Sequence, residues 1–366
     1  MIDLQKAKET GNFRELKKTE TSGKFITFEG QSLLNLASND YMGIGTDKGL
    51  RNQFLQSIAD SDLFFGSGAS RLVYTSSNEF DSLEFAFEQI FQGKKGLIFN
   101  SGYSANLGTI AALADESTLF IADKLIHASM IDALVISKAN FKRFTHNDMD
   151  SLESMLKKYA GEYKQVVVLT EAVFSMDGDI ADLRRMVELK KQYDNVRLYV
   201  DEAHSFFSVH EHGVAKDLGL DRDIDILLIT FSKALGGNGA ILMADGNVRD
   251  ILVNSARSLI FSTALSSVQV AWTRFILSQD FSGRRENLKN LVKFMGFSET
   301  QICPFIVGEN DDTLALAAKL RKEGFFVPAI RPPTVPLHTS RLRISLRGDL
   351  LMEDVAKFKE ILDQQK

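Results

Sequence analysis

Between Gly96 and Thr230 the chain alternates short β-rich apolar runs with stretches whose apolar residues recur at helical spacing. Residues 96–100 predict a strand and 103–114 the helix that follows it. Residues 118–122 predict the next strand, with a helix over 128–137 behind it. Residues 141–144 are short and extended, and Asn147 or Asp148 would cap a helix running to Tyr159. Residues 165–170, 197–201 and 225–230 are the strongest strands. Two of them are apolar almost throughout, as strands covered on both faces of a parallel sheet are. Strand and helix in alternation predict an open α/β sheet with right-handed crossovers.

Past a helical stretch ending near Leu277 the order changes. A helix over 284–294, a strand over 304–307 and a helix over 313–323 come first. Strands over 326–330 and 341–345 and a helix over 352–363 complete a small α+β unit. At the other end, an amphipathic helix precedes two short strands over 25–28 and 33–36. The expected division is residues 1–45 as an N-terminal segment, 46–280 as a large α/β domain and 281–366 as a small C-terminal α+β domain.

Composition then narrows the partners. With 44% hydrophobic and 25% charged residues in 366, the chain is ordinary globular material rather than disordered or collagen-like. A net charge of −5 leaves no electrostatic case for nucleic acid. The best apolar run, 224–231, holds Asp225 and falls short of the roughly 20 residues of a membrane helix, so no membrane partner is expected. The charged N-terminus lacks a signal-peptide apolar stretch, which points to a cytoplasmic protein. The one cysteine, Cys303, makes no internal disulfide and reads as a small buried apolar residue. No spacing suggests a metal site.

Ligands of open α/β sheets bind beyond the carboxyl ends of the strands. Those ends supply Asn100-Ser101-Gly102-Tyr103, then Asp123 with His127, Glu171 with Ser175, Asp201 with His204, and Thr230-Phe231-Ser232-Lys233. Each has a bland reading by itself. Lys233 would be a solvated loop lysine, His127 a helix cap or core histidine, and Asp201 a helix cap. Ser175 and Thr230 would satisfy backbone groups. His146 reads as structural. Together they meet a sharper requirement. A lysine beside small residues loses solvation and becomes nucleophilic, an aspartate can pair with a protonated pyridine nitrogen, a histidine can cover a planar ring, and Gly102-Tyr103 at a helix start can face a phosphate. That set suits pyridoxal 5′-phosphate (PLP). The glycine-rich stretches 66–70 and 236–239 have neither P-loop nor dinucleotide spacing, which argues against a nucleotide-dependent oxidoreductase.

VDEAHS (200–205), TFSKALGG (230–237), SNDYMGIG (38–45) and VFSMDGDIADL (173–183) resemble the α-oxoamine synthases, PLP enzymes of the aspartate-aminotransferase-like fold. The resemblance runs from about Phe13 to Phe358. It implies a fold-type-I large domain with a mostly parallel sheet and a small C-terminal α+β domain. It also implies roles residue by residue. Lys233 would hold PLP and move the substrate α-proton, Asp201 would pair with the ring nitrogen, His204 with the ring hydroxyl, and His127 would stack on the ring. Gly102, Tyr103, Ser175 and Thr230 would contact the cofactor, and Glu171 would orient the ring hydroxyl or the substrate carboxylate. Arg14, Asn39, Arg331 and Thr334 would face substrates, although Arg14 alone reads as part of a solvated helix face. A homodimer is implied, with Ser262 and Thr263 of the neighbouring subunit reaching the phosphate.

RFTHND (143–148), AIRPPTVP (329–336) and RLRISL (341–346) are most similar to the members that join L-alanine to a pimeloyl thioester, on CoA or a carrier protein, in biotin biosynthesis. Ala234-Leu235 and Ser70-Arg71 depart from some relatives beside the acyl pocket, which leaves acyl length open. Glycine with acetyl-CoA, a longer acyl chain, or a PLP-fold binding protein without catalysis remain the alternatives. Retention of Lys233, Asp201, His204 and His127 together weighs against the last.

Overall fold

A computed structural model describes residues 4–9, 13, 15–75 and 77–365. They fall into two compact units. The smaller comprises Met1–Lys48, Ser175–Asp179 and Phe281–Lys366, and the larger Gly49–Phe174 and Ile180–Asp280.

In the smaller unit, β1 (Thr19–Ser22), β2 (Phe25–Phe28) and β3 (Gln31–Asn35) form an antiparallel meander. In the larger unit the strands are β4 (Lys95–Phe99), β5 (Thr118–Asp123), β6 (Asn140–Phe144), β7 (Gln165–Glu171), β8 (Val196–Asp201), β9 (Ile226–Thr230) and β10 (Ala240–Ala244). The C-terminal part of the smaller unit adds β11 (Ile302–Gly308), β12 (Phe325–Phe326), β13 (Ala329–Ile330) and β14 (Ser340–Ser345).

The larger unit is one seven-stranded sheet in the order β4-β10-β9-β8-β7-β5-β6. β6, β5, β7, β8 and β9 run parallel, and β10 is antiparallel to both β9 and β4. Since β4 and β9 both oppose β10, the carboxyl ends of β4 through β9 lie along one edge of the sheet. The inner strands are apolar because both faces are covered. Every residue of β5 and β9 is buried, and the Val166–Val168 run of β7 supplies the branched side chains that a pleated interior favours. One face packs Phe99, Phe120, Leu169 and Leu228 against Ile110, Met130 and Leu134 of covering helices.

The strands differ from the sequence expectation in several respects. β10, AILMA, is a strand that hydrophobic alternation does not pick out; it is a short, wholly buried run bounded by Gly239 and Asp245. Residues 326–330, expected as one strand, are split between sheets. β12 pairs in parallel with β3, whereas β13 pairs with β14. Pro328 lies between them, and a residue without an N–H cannot continue a ladder on its donor side. Through β12 the N-terminal strands share a four-stranded sheet with the C-terminal region, although the sequence suggested a segment apart. β11, β14 and β13 form the remaining three-stranded sheet. Cys303 is fully buried on β11 and burial pushes its thiol up to about 12, consistent with its expected apolar role.

Candidate active site

The end of β8 carries the first acid. Asp201 is buried; its Oδ1 accepts the Ala203 N–H at 2.9 Å and its Oδ2 an N–H of the Asn106 side chain at 3.1 Å. Three residues on, His204 is buried with Nε2 2.9 Å from Lys233 Nζ, so the lysine and the imidazole share one proton-exchange distance. The turn between them is held by Glu202, whose buried carboxylate accepts the N–H groups of Val214 (3.1 Å) and Ala215 (2.8 Å) and the Ser205 hydroxyl. Burial raises the Glu202 pKa above the ordinary carboxylate range while these donors oppose the shift. A Cβ at residue 213 would lie 2.6 Å from Glu202 Oε2, and Gly213 has φ +83°, so only glycine serves there.

His127 ends the loop after β5 and caps the helix Ala128–Ile136. Its Nδ1 accepts the Ser129 N–H at 3.2 Å and lies 2.7 Å from Ser129 Oγ. The cap reading and the ring-covering reading are therefore compatible: Nδ1 faces the helix and leaves the rest of the ring for other contacts. Burial lowers the His127 pKa, which Lys233 reinforces and Asp201 and Asp132 oppose. Asn106, on the facing helix Gly102–Leu113, donates to Ser129 Oγ at 3.0 Å and accepts the Tyr199 hydroxyl at 2.7 Å.

Glu171 ends β7. It is buried, the His127 backbone N–H faces it, and its Oε1 has no hydrogen-bond partner. Burial, with the Asp201 charge adding to it and Lys233 opposing, pushes its pKa well above the ordinary range. At the end of β9, Thr230 Oγ1 is likewise buried without a partner. Thr230 backs directly onto the start of the helix Gly102–Leu113: a Cβ at Gly102 would sit 2.5 Å from Thr230 Cγ2. Ser101 caps that helix through Ser104 N–H at 3.0 Å. The N–H groups of Gly102 and Tyr103 have no acceptor within the helix, as first-turn donors never do. Asn100 at the end of β4 donates to Ser262 Oγ at 2.8 Å and to the Thr263 carbonyl at 2.5 Å.

Gly102, Tyr103, His127, Glu171, Asp201, His204, Thr230, Lys233, Ser262 and Thr263 all lie in the larger unit. Tyr103 is the outlier among them, half-exposed, with its hydroxyl donating to Asp132. Asn39, Ser175, Arg331 and Thr334 belong to the smaller unit. There, buried Arg343 donates to Asn39 Oδ1 (3.0 Å), the Ser175 carbonyl (2.5 Å) and the Tyr41 hydroxyl (3.2 Å). Arg14 lies outside the described residues. His146, read as structural, pairs with fully buried Asp123 at 2.9 Å; that acid also accepts Leu125 and Asn147 N–H groups, which fixes the loop leading to His127. Asn106, Ser129, Glu202 and Arg343 were not singled out from sequence. The available signals were an amide inside an otherwise small and apolar helix (GYSANLGTIAAL) and arginines alternating along an apolar strand (SRLRIS).

The donor set suits a phosphorylated pyridine aldehyde. Thr230 Oγ1 and the Gly102-Tyr103 N–H groups could meet a dianion, buried Asp201 could meet a ring cation, and Lys233 offers a primary amine. Among the described residues no cluster of His, Cys, Asp and Glu would hold a metal ion, and no helix is long and apolar enough to cross a membrane.

Comparison with known proteins agrees with the geometry. Residues 31–360 match the family described as aminotransferase class I and II. A protein of Glaesserella parasuis serovar 5, provisionally named 8-amino-7-oxononanoate synthase, is 43% identical over 367 residues, covering 96% of each chain. A structure of SPT, a serine palmitoyltransferase, with PLP superposes at TM-score 0.87 with 26% identity, over 99% of this chain and 95% of that one. The 8-amino-7-oxononanoate synthase of Francisella tularensis superposes at TM-score 0.77 over 91% of this chain and 97% of that one; at 22% identity it speaks for the fold alone.

Proposed function

The chain belongs to the class I and II aminotransferase family and is a PLP-dependent α-oxoamine synthase, and from that premise we propose that it condenses L-alanine with a pimeloyl thioester to give 8-amino-7-oxononanoate. The observation that carries the catalytic reading is the meeting of Lys233 Nζ and His204 Nε2 at 2.9 Å beside buried Asp201. The substrate pair is supported by 43% identity to a relative provisionally named for that product. The carbon–carbon bond forms between alanine Cα and the acyl carbon as the thiol leaves, and the alanine carboxylate departs as CO2.

PLP, bound at this site, supplies an electron sink conjugated to the amino-acid Cα. The chain does the rest. Lys233 Nζ takes and returns the Cα proton, with His204 Nε2 as its hydrogen-bonded neighbour. Asp201, buried at the end of β8, would hold positive charge at the ring nitrogen, and a carboxylate acts most strongly away from water. His127 would cover one face of the ring. Thr230 and the first N–H groups of the helix Gly102–Leu113 would hold the phosphate. Glu171 orients the ring hydroxyl or the substrate carboxylate. Asn39, Arg331, Thr334 and Arg14 bind substrate, with an arginine meeting the distal carboxylate of the pimeloyl chain.

Purified protein loaded with PLP and offered pairs of amino acid and acyl-CoA tests this, with CoA release and product mass as readouts. A methyl group is worth about 1–3 kcal/mol, so glycine should turn over more slowly than alanine but measurably. Pimeloyl-CoA should far exceed octanoyl-CoA, because a buried donor left facing a chain without its carboxylate is penalised. Arg331→Ala or Arg14→Ala should erase that preference selectively. Equal turnover of the two acyl-CoAs would assign the protein to another α-oxoamine synthase, with acetyl or longer acyl donors.

An isologous homodimer is part of the same proposal, with Ser262 and Thr263 serving the partner's phosphate. It is supported by an exposed apolar set, Phe65, Val73, Tyr74 and Phe261, on segments joined by the Ala264 N–H to Ala69 carbonyl bond at 3.0 Å. Sedimentation should give a dimer at assay concentration; a fully active monomer would reject it.

A further inference from the structure

Asn106 is fully inside the larger unit, yet its amide is used on both sides. The Tyr199 hydroxyl is buried and its proton is firmly held, so it donates and the Asn106 carbonyl faces it at 2.7 Å. That orientation turns the amide N–H groups to Asp201 Oδ2 at 3.1 Å and Ser129 Oγ at 3.0 Å. A carboxylate accepts only, so the same orientation is demanded from the other end. With an N–H occupying its oxygen, Ser129 turns its own proton to His127 Nδ1 at 2.7 Å. The Ser129 backbone N–H points at the same nitrogen.

We propose that Asn106 is a positioning residue that links the ring-nitrogen acid to the ring-covering histidine, holding Asp201 in place and, through Ser129, fixing His127 as the neutral tautomer with its proton on Nε2. Hydrogen bonds run in one sense along the path, Tyr199 to Asn106 to Ser129 to His127, with a branch to Asp201. The charged groups that face the imidazole are Asp201, Asp132 and Lys233, and Glu171 takes its backbone N–H. None of them supplies an acceptor that the structure places on Nδ1. His127 would thus present an N–H donor, not a lone pair, from Nε2. The inference rests on the PLP reading only for its use; the tautomer stands by itself.

The test is nitrogen NMR of the full chain labelled at its 6 histidines, with and without PLP, the His127 signal being assigned by its loss in His127→Gln. Wild-type protein should show Nδ1 unprotonated and Nε2 protonated at neutral pH; a proton on Nδ1 overturns the proposal at once. In Ser129→Ala and in Asn106→Leu the ring should protonate up to about tenfold more readily, because a donor aimed at Nδ1 has gone or has been freed to turn away. The double variant should show no further change, since both lie on one path. Unaltered titration in Ser129→Ala, or additive shifts in the double variant, would overturn the coupling. Should Asn106→Leu fail to fold, Ser129→Ala with the wild-type tautomer decides the matter. The readout is independent of turnover, so loss of the catalytic reading would leave it standing.

Discussion

Lys233→Ala is expected to abolish condensation, lowering turnover by roughly a thousandfold or more, while the protein stays folded and still binds PLP without a covalent bond. The lysine is half-buried on the turn after β9, its Nζ fixed 2.9 Å from His204 Nε2, and no other lysine is placed in the same polar cluster among the described interactions. Loss of a nucleophile that also carries the Cα proton removes two contributions at once, and a positioned general base alone is worth about a hundred- to ten-thousandfold. Folding should survive because the side chain makes its contact at the site rather than in the apolar layers. Borohydride treatment of wild-type protein should fix the cofactor to the peptide containing Lys233, read by mass, and the variant should show no such adduct. An adduct on another lysine, or an active Lys233→Ala protein, would remove the assignment. Peptide mass and turnover report separately, the first on which lysine holds PLP and the second on the proton-transfer role.

How legible this was differs between sheet and site. The parallel strands could be read because burial on both faces leaves apolar runs such as QVVVLTE, and because acids and hydroxyls stop those runs abruptly at Glu171, Asp201 and Thr230. β10 could not, since AILMA carries no alternation and little β-branching to separate it from a buried helical turn. The split at Pro328 depends on which sheet each flank joins, and that is a long-range fact: β12 pairs with β3 nearly three hundred positions earlier, Phe325 opposite Leu34. Among site residues, those that present a reactive atom were readable by type and place. Residues that act on them were not. Asn106 and Ser129 sit in helices whose sequence looks merely small and apolar, and their meaning appears only when two helices bring an amide and a hydroxyl within 3.0 Å. Arg343 is similar: on a strand it reads as one of two alternating arginines, and only the fold shows it gathering Asn39, Tyr41 and the Ser175 carbonyl.

Asp201→Asn should slow exchange of the alanine α-proton by roughly a hundredfold or more, the scale at which single preorganised electrostatic groups act. It should also cost stability, for a reason specific to this site. Asp201 accepts two N–H groups, one from Ala203 at 2.9 Å and one from Asn106 at 3.1 Å. An asparagine at 201 has one accepting oxygen and must set its own NH2 against the other donor, leaving a buried mismatch worth about 1–3 kcal/mol. The two losses can be pulled apart by exchanging the pair. In Asp201→Asn combined with Asn106→Asp, the acceptor moves to the other side of the contact and the donor–acceptor match returns, so much of the lost stability should return with it. The rate should not, because the charge now stands one residue removed from the ring nitrogen. Urea midpoints at unchanged slope measure the first, and deuterium exchange at alanine Cα the second. Wild-type exchange in the single variant would show that Asp201 is a structural acid. Exchange restored in the double variant would show that the hydrogen-bond pattern, and not the position of the charge, is what the reaction needs.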